Sequence, residues 1–229
     1  MKRLSEALQR GRMQLFVSLP ANELELAEAA LAEGADGLKV HINVGHRASG
    51  NEFGPLEVYE ETIGMIRSRF DGPLGIVPGG APERISREEI QRLPQLGIDF
   101  FSIYAFHMPS FLLHAPGLER TFAIDAKSDR SLVEGADAFG ITALEASVVP
   151  GEEYGTPLNF ADLLTYRWLA SHAGVPVIVP TQRRIVPEDV PALADSGIQA
   201  LLAGAVVTGN TAEGIRRGVA ELRNAIDRL

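Results

Sequence analysis

Lys39 and His41 stand two residues apart in an apolar run, Leu38-Lys-Val-His-Ile42. If the run is a strand, side chains alternate across it, so both point to one face. Asp125 and Lys127 have the same spacing after Thr121-Phe-Ala-Ile124, and Glu145 closes Ile141-Thr-Ala-Leu-Glu145. A lysine and a carboxylate on the inner face of a closed sheet can polarise a carbonyl and move a proton. They can equally be a satisfied ion pair, because burying either charge alone is costly. Lysine is also rare: of 21 basic residues only Lys2, Lys39 and Lys127 are lysines. A lysine kept in an arginine-rich chain suits a role needing a compact amine, as general acid or as Schiff-base nucleophile.

A second group lies near the carboxyl end. Arg183-Arg184 follows the run Val175-Pro-Val-Ile-Val-Pro180, and Gly204-Ala-Val-Val-Thr208-Gly209 follows Ala200-Leu-Leu-Ala203. A small, Gly-containing turn that opens a helix offers free amides and a positive dipole end, which suit an anion. An arginine fork matches phosphate oxygens. Arg183, Arg184, Gly204, Ala205, Thr208 and Gly209 are therefore the expected phosphate-binding residues, and Lys39, Glu145, Asp125, Lys127 and His41 the expected catalytic ones. His41, Asp125 and Glu145 could in principle hold a divalent metal. The remaining histidines lack metal-ligand spacing, and no cofactor is the favoured reading.

Eight short apolar runs must position these groups: 15–19, 38–42, 74–77, 100–104, 121–125, 141–145, 175–180 and 200–207. Between them lie stretches with helical periodicity. Asn22 is placed to cap one such stretch, and Ser86-Arg-Glu-Glu89 reads as a capping box. Residues 1–14, with Leu4, Leu8 and Met13 on one side, read as a short amphipathic helix covering the amino-terminal mouth. Residues 43–54 read as a long loop, 107–118 as a segment with one short helix, and 131–138 as a helix. Strands 2, 4, 6 and 8 are each approached by a Gly-containing turn: Gly34-Ala-Asp-Gly37, Gly97-Ile-Asp99, Ala138-Phe-Gly140 and Ser196-Gly-Ile198. This weak repeat predicts an α/β fold, a single (β/α)8 TIM barrel with a short N-terminal helix, spanning residues 1–229 as one domain. No Gly-x-Gly-x-x-Gly follows the first strand, which disfavours a doubly wound sheet.

In such a barrel, side chains past the carboxyl ends of strands carry function, and the last two loops are the usual phosphate site. Composition narrows the partners. A net charge of −9 argues against nucleic acid, and no apolar run is long enough to cross a membrane. Zero cysteines exclude disulfides and thiolate chemistry, and they fit a cytoplasmic protein. Apolar residues within 106–113 suit either a lid or a contact with a second copy in a homodimer.

From Asp125 onward the chain resembles the ribulose-phosphate-binding barrels, most nearly the N-acetylmannosamine-6-phosphate 2-epimerases. The residues that carry this likeness are Pro176-Val-Ile-Val179, Arg183-Arg184, Pro187-Glu188, Gly204-Ala-Val-Val-Thr208 and Tyr154-Gly-Thr156. His41-Ile-Asn43 and Phe53-Gly-Pro55 are similar to the ribulose-phosphate 3-epimerases. The likeness implies a small phosphorylated substrate, an isomerase or epimerase activity and a place in carbohydrate metabolism. The strand-3 lysine and strand-7 glutamate of the first family have no counterpart here, so its acid–base roles fall to Lys39 and Glu145. A Schiff-base aldolase or lyase and a non-catalytic phospho-ligand-binding barrel are the alternatives.

Overall fold

The computed structural model describes residues 2–229. Eight parallel strands close into a ring: β1 (Gln14–Ser18), β2 (Gly37–His41), β3 (Leu74–Val77), β4 (Phe100–Tyr104), β5 (Glu119–Ile124), β6 (Ala143–Ala146), β7 (Val177–Pro180) and β8 (Ala200–Ala203). Each pairs with its sequence neighbours, and β8 pairs with β1. Helices α1 (Arg3–Leu8), α2 (Leu24–Ala32), α3 (Glu60–Arg69), α4 (Arg87–Arg92), α5 (Phe160–His172), α6 (Val190–Asp195), α7 (Ala205–Thr208) and α8 (Ala212–Ile226) complete the TIM barrel. No helix among the described residues is long and apolar enough to cross a membrane.

The repeated turns have a physical reason. Gly34, Gly97, Gly140 and Gly197 all have positive φ, which lets the chain leave a helix and turn into the sheet. After three of them comes a polar side chain that accepts an amide from the start of a neighbouring strand. Asp36 takes Leu15 N (2.9 Å), Asp99 takes Leu74 N (2.9 Å) and Gln199 takes Val177 N (2.6 Å). These bonds satisfy donors that the ladder leaves open at the amino-terminal rim. Arg3 and Arg67 neutralise Asp99, while Arg12 and Arg223 neutralise Asp36.

The amino-terminal mouth is plugged. Leu4, Ala7 and Leu8 of α1 join Phe16, Phe100, Ala143, Ile178, Ala200 and Leu202 in one apolar cluster inside the ring. Glu119 accepts the amides of Leu4 and Ser5, and so caps α1 from β5. The helix expected over residues 1–14 is shorter than that. Met1 lies outside the described residues, and α1 ends at Leu8, before Gly11 at φ +73 and the start of β1.

Other departures follow from local competition. Asn22 does not cap α2; its amide brackets His41 instead, donating to His41 O (2.6 Å) and accepting from His41 N (3.0 Å). Ser86 caps α4 by accepting from Glu89 N, but the Glu89 carboxylate reaches away to Leu56 N and Asn43 Nδ2. Residues 130–135 and 137–139 form two 3-10 turns rather than one helix, as do 105–107 and 110–114. The loop expected over 43–54 is an antiparallel hairpin, Val44–His46 paired with Asn51–Phe53.

Two glycines make room for the aromatic plug. A Cβ on Gly37 would lie 2.6 Å from the Phe16 ring, and one on Gly75 would overlap the Phe100 ring. Gly75→Ala should therefore cost about 1–3 kcal/mol through overpacking. A lowered urea midpoint would register it, and adding Phe100→Leu should restore most of the loss.

Candidate active site

Alternation stacks the inward side chains in layers, four from alternate strands in each. On the even strands the series run Gly37, Lys39, His41; Phe100, Ser102, Tyr104; Ala143, Glu145, Ser147; and Ala200, Leu202, Gly204. The lowest layer is apolar. The next holds Lys39, Ser102, Glu145 and Leu202. β2 and β6 face each other across the ring, four places apart in the strand order. Lys39 and Glu145 thus reach toward each other from opposite walls. Lys39 Nζ donates to Glu145 Oε1 (2.9 Å) and Oε2 (2.8 Å), and Ser102 Oγ donates to Oε2 (2.7 Å). Lys39 is 5% exposed and Glu145 8%. Burial pushes the Glu145 carboxyl up. The Lys39 ammonium and hydrogen bonds from Lys39, Ser102 and Ser147 outweigh this and leave it below the ordinary carboxylate value.

Above the pair opens a cavity of about 260 Å³ at the carboxyl ends of the strands. Ser18, His41, His46, Tyr104, Tyr154, Thr181 and Gln182 line it among apolar Val77, Ile103 and Val206. His41 is 2% exposed and lies tilted against His46 and Phe53 at ring distances of 4.6 and 4.9 Å. Its Nε2 faces Ser18 Oγ (3.3 Å), and its Nδ1 is buried without a partner. Burial, then His46 and Lys39, holds the His41 pKa well below 6.5. Burial and Lys39 lower His46 to about 4, against an opposing pull from Glu145. Both imidazoles are therefore neutral at pH 7. Burial raises Tyr104 and Tyr154 above the usual phenol value, so each is a neutral hydroxyl.

The expected site residues separate into three groups. Lys39, Glu145 and His41 come together on the cavity floor and wall. Asp125 and Lys127 do not join them: Asp125 accepts from Lys127 N (3.0 Å) and Ser128 Oγ (2.7 Å) in a tight turn, and Lys127 is exposed. Among the described residues no three His, Asp or Glu side chains are grouped as metal ligands. The arginines of the β7 loop also lie elsewhere. Arg183 is buried in ion pairs with Asp162 (2.8 Å) and Glu153 (2.7 Å), and it donates to Thr156 Oγ1 (2.5 Å). Arg184 is exposed and outside the cavity.

In the β8 turn, Gly204 and Val206 line the cavity, and Gly204 N donates to Thr181 Oγ1 (2.9 Å). Ala205 and Thr208 are buried, and Gly209, at φ +64, ends α7. The sequence does not single out Ser102, Ser147, Gln182 or Arg47, and His46 stands in it only as a histidine without metal-ligand spacing. Strand alternation was a signal for Ser102, two residues before Tyr104; the hairpin residues carried none.

Removing one partner of the floor pair strands the other in a dry layer. Glu145→Ala should cost about 3–5 kcal/mol, while the Lys39→Met/Glu145→Leu pair should cost much less. Urea denaturation distinguishes the two. Acid should act mainly through the histidines. In the unfolded chain both take a proton near pH 6.5, but folded His46 waits until about 4. The unfolded state thus binds more protons below pH 6.5, and stability falls as pH drops toward 4. Glu145 adds stability above its ordinary value that is lost as pH falls through its lowered folded one. Melting temperature against pH should show a shallower decline for His46→Gln than for the parent chain.

No family model matches the chain, and no curated protein sequence does. Solved structures do resemble it. Tryptophan synthase from Mycobacterium tuberculosis aligns with a TM-score of 0.76 at 13% identity, over 98% of this chain and 98% of that one. The tryptophan synthase complex from Pyrococcus furiosus gives 0.71 at 17%, over 93% and 98%. Thiamine phosphate pyrophosphorylase from the same organism gives 0.68 at 15%, over 98% of both chains. At such identities the likeness establishes the fold: this chain is a TIM barrel.

Proposed function

We propose that the chain is an enzyme that moves a proton on a small phosphorylated carbonyl compound, as an isomerase or epimerase. The observation that carries this reading is the Lys39–Glu145 pair on the floor of the mouth cavity. A lysine ammonium has three donors. Two are spent on the Glu145 oxygens, and the third is left for a substrate oxygen. Glu145 is ionised and can take a proton from the carbon beside the carbonyl. The enediolate that forms is stabilised where its negative charge develops, by Lys39 and by the neutral hydroxyls of Tyr104 and Tyr154. His41, uncharged, can donate or accept without competing for Glu145.

Acid–base chemistry is favoured over a Schiff base by geometry. Attack by Lys39 Nζ would first break both of its hydrogen bonds to Glu145. The phosphorylated class is supported by the position of the β8 turn on the cavity wall, the usual phosphate side of such barrels. The name of thiamine phosphate pyrophosphorylase, among the similar folds, agrees with it.

Phosphorylated aldoses and ketoses, screened by thermal shift, should include at least one that raises the melting temperature. Incubated with the protein in D₂O, that compound should gain deuterium beside its carbonyl, and Glu145→Gln should slow the exchange by about 10²–10⁴-fold. Borohydride treatment should leave the protein mass unchanged. An adduct on Lys39 would replace the isomerase with a lyase, and binding without exchange would leave a binding barrel.

A further inference from the structure

Three ionised side chains line the cavity: Lys39, Glu145 and Arg47. Lys39 and Glu145 neutralise each other. Arg47 joins no ion pair among the described residues. A chain of net charge −9 thus holds one uncompensated cation at the mouth of its cavity. The hairpin that carries it is fastened. Arg47 sits at the tip of the hairpin that follows β2, and three loops of the barrel fasten that hairpin. Asn51 Nδ2 donates to Pro20 O after β1 (2.8 Å). Gly80 N, after β3, donates to Asn43 O (3.0 Å) at the hairpin base. Asn210 Nδ2, beyond β8, donates to Ser49 O (3.0 Å).

From this tip the Arg47 guanidinium crosses to the loop after β6 and rests on Gly151. A Cβ there would lie 2.7 Å from Arg47 Cζ, so an alanine would push the guanidinium aside. Arg47 is close enough to Tyr154 for its charge to act on that phenol.

We propose that Arg47, rather than an arginine of the β7 loop, grips the phosphate of the substrate. The assignment rests on the phosphorylated-substrate reading and deepens it. A guanidinium offers two parallel N–H donors to a phosphate.

Inorganic phosphate is the probe, titrated by calorimetry at low ionic strength. The parent chain should bind it saturably. Arg47→Ala should weaken binding at least tenfold, and Arg47→Lys should recover part of it. Gly151→Ala keeps the charge but fills the berth, and should weaken binding several-fold. Arg184→Ala, outside the cavity, should bind as the parent does. Arg47 and Arg184 are exposed, and circular dichroism should confirm that these variants fold. If Arg47→Ala binds phosphate as tightly as the parent, the grip lies elsewhere and only the Arg47 assignment falls. If the parent binds neither phosphate nor glycerol phosphate, the phosphorylated-substrate reading falls with it.

Discussion

A lysine and a glutamate meet on the barrel axis, nearly shut off from water. Each is tolerable there only because the other is present, since an isolated charge in that layer would be expelled or neutralised. The pairing also pins the fold. A one-residue slip of β2 would turn Lys39 outward to the helices and put Leu38 and Val40 inside, leaving Glu145 alone. Ser102 adds a third anchor from β4, so three strands share one registered polar layer. Beneath it Phe16 and Phe100 fill the ring through the space left by Gly37 and Gly75. The dry plug below keeps the pair's electrostatics strong, and the cavity above gives the pair something to act on.

Ion pairs at both ends of the barrel hold its loops and strand starts in place. Asp36, Asp99 and Glu119 sit at the amino-terminal rim, where backbone amides and arginines satisfy them. They hold strand starts and cap α1. Arg183 has a comparable duty at the other end. Through Asp162 and Glu153 it ties the loop after β6 to the first turn of α5. The same loop is latched by Gly155 N to Gln182 O (2.9 Å), and Gln182 Nε2 reaches Tyr154 Oη (2.5 Å). Arg183 thus bears on the cavity through Tyr154, which the loop after β6 carries.

The barrel was legible because its signals are local. Each turn into an even strand ends a helical segment with a glycine, and the apolar run behind it is short. Lys39 and Glu145 were legible as well, since alternation along a strand sends them inward and burial demands a partner. Asp125 obeys the same alternation, yet Ser128, three residues on, captures its carboxylate. Asn22 had the residue type of a helix cap and found a strand backbone instead. For Arg183 the deciding partners, Asp162 and Glu153, lie 21 and 30 residues earlier in the chain. Nothing in Arg183-Arg184 says that one arginine folds under and the other faces solvent. The hairpin is hidden in the sequence because strands of three residues are too short for periodicity to show.

Rigidity links this architecture to the proposed chemistry. Proton transfer at carbon needs donors fixed before charge develops, because reorganising them costs what catalysis must supply. Every polar group on the cavity floor is already held: Lys39 and Ser102 by Glu145, His41 by Asn22 on its backbone and Ser18 on its ring. The third Lys39 proton and the buried Nδ1 of His41 are what these bonds leave over. The nitrogen is sealed from the cavity, whereas the first of these, a donor on the floor, is where a substrate oxygen would gain most. A sugar fragment bound there would exchange with no internal partner, so its hydrogen bonds would add to the site rather than compete with it.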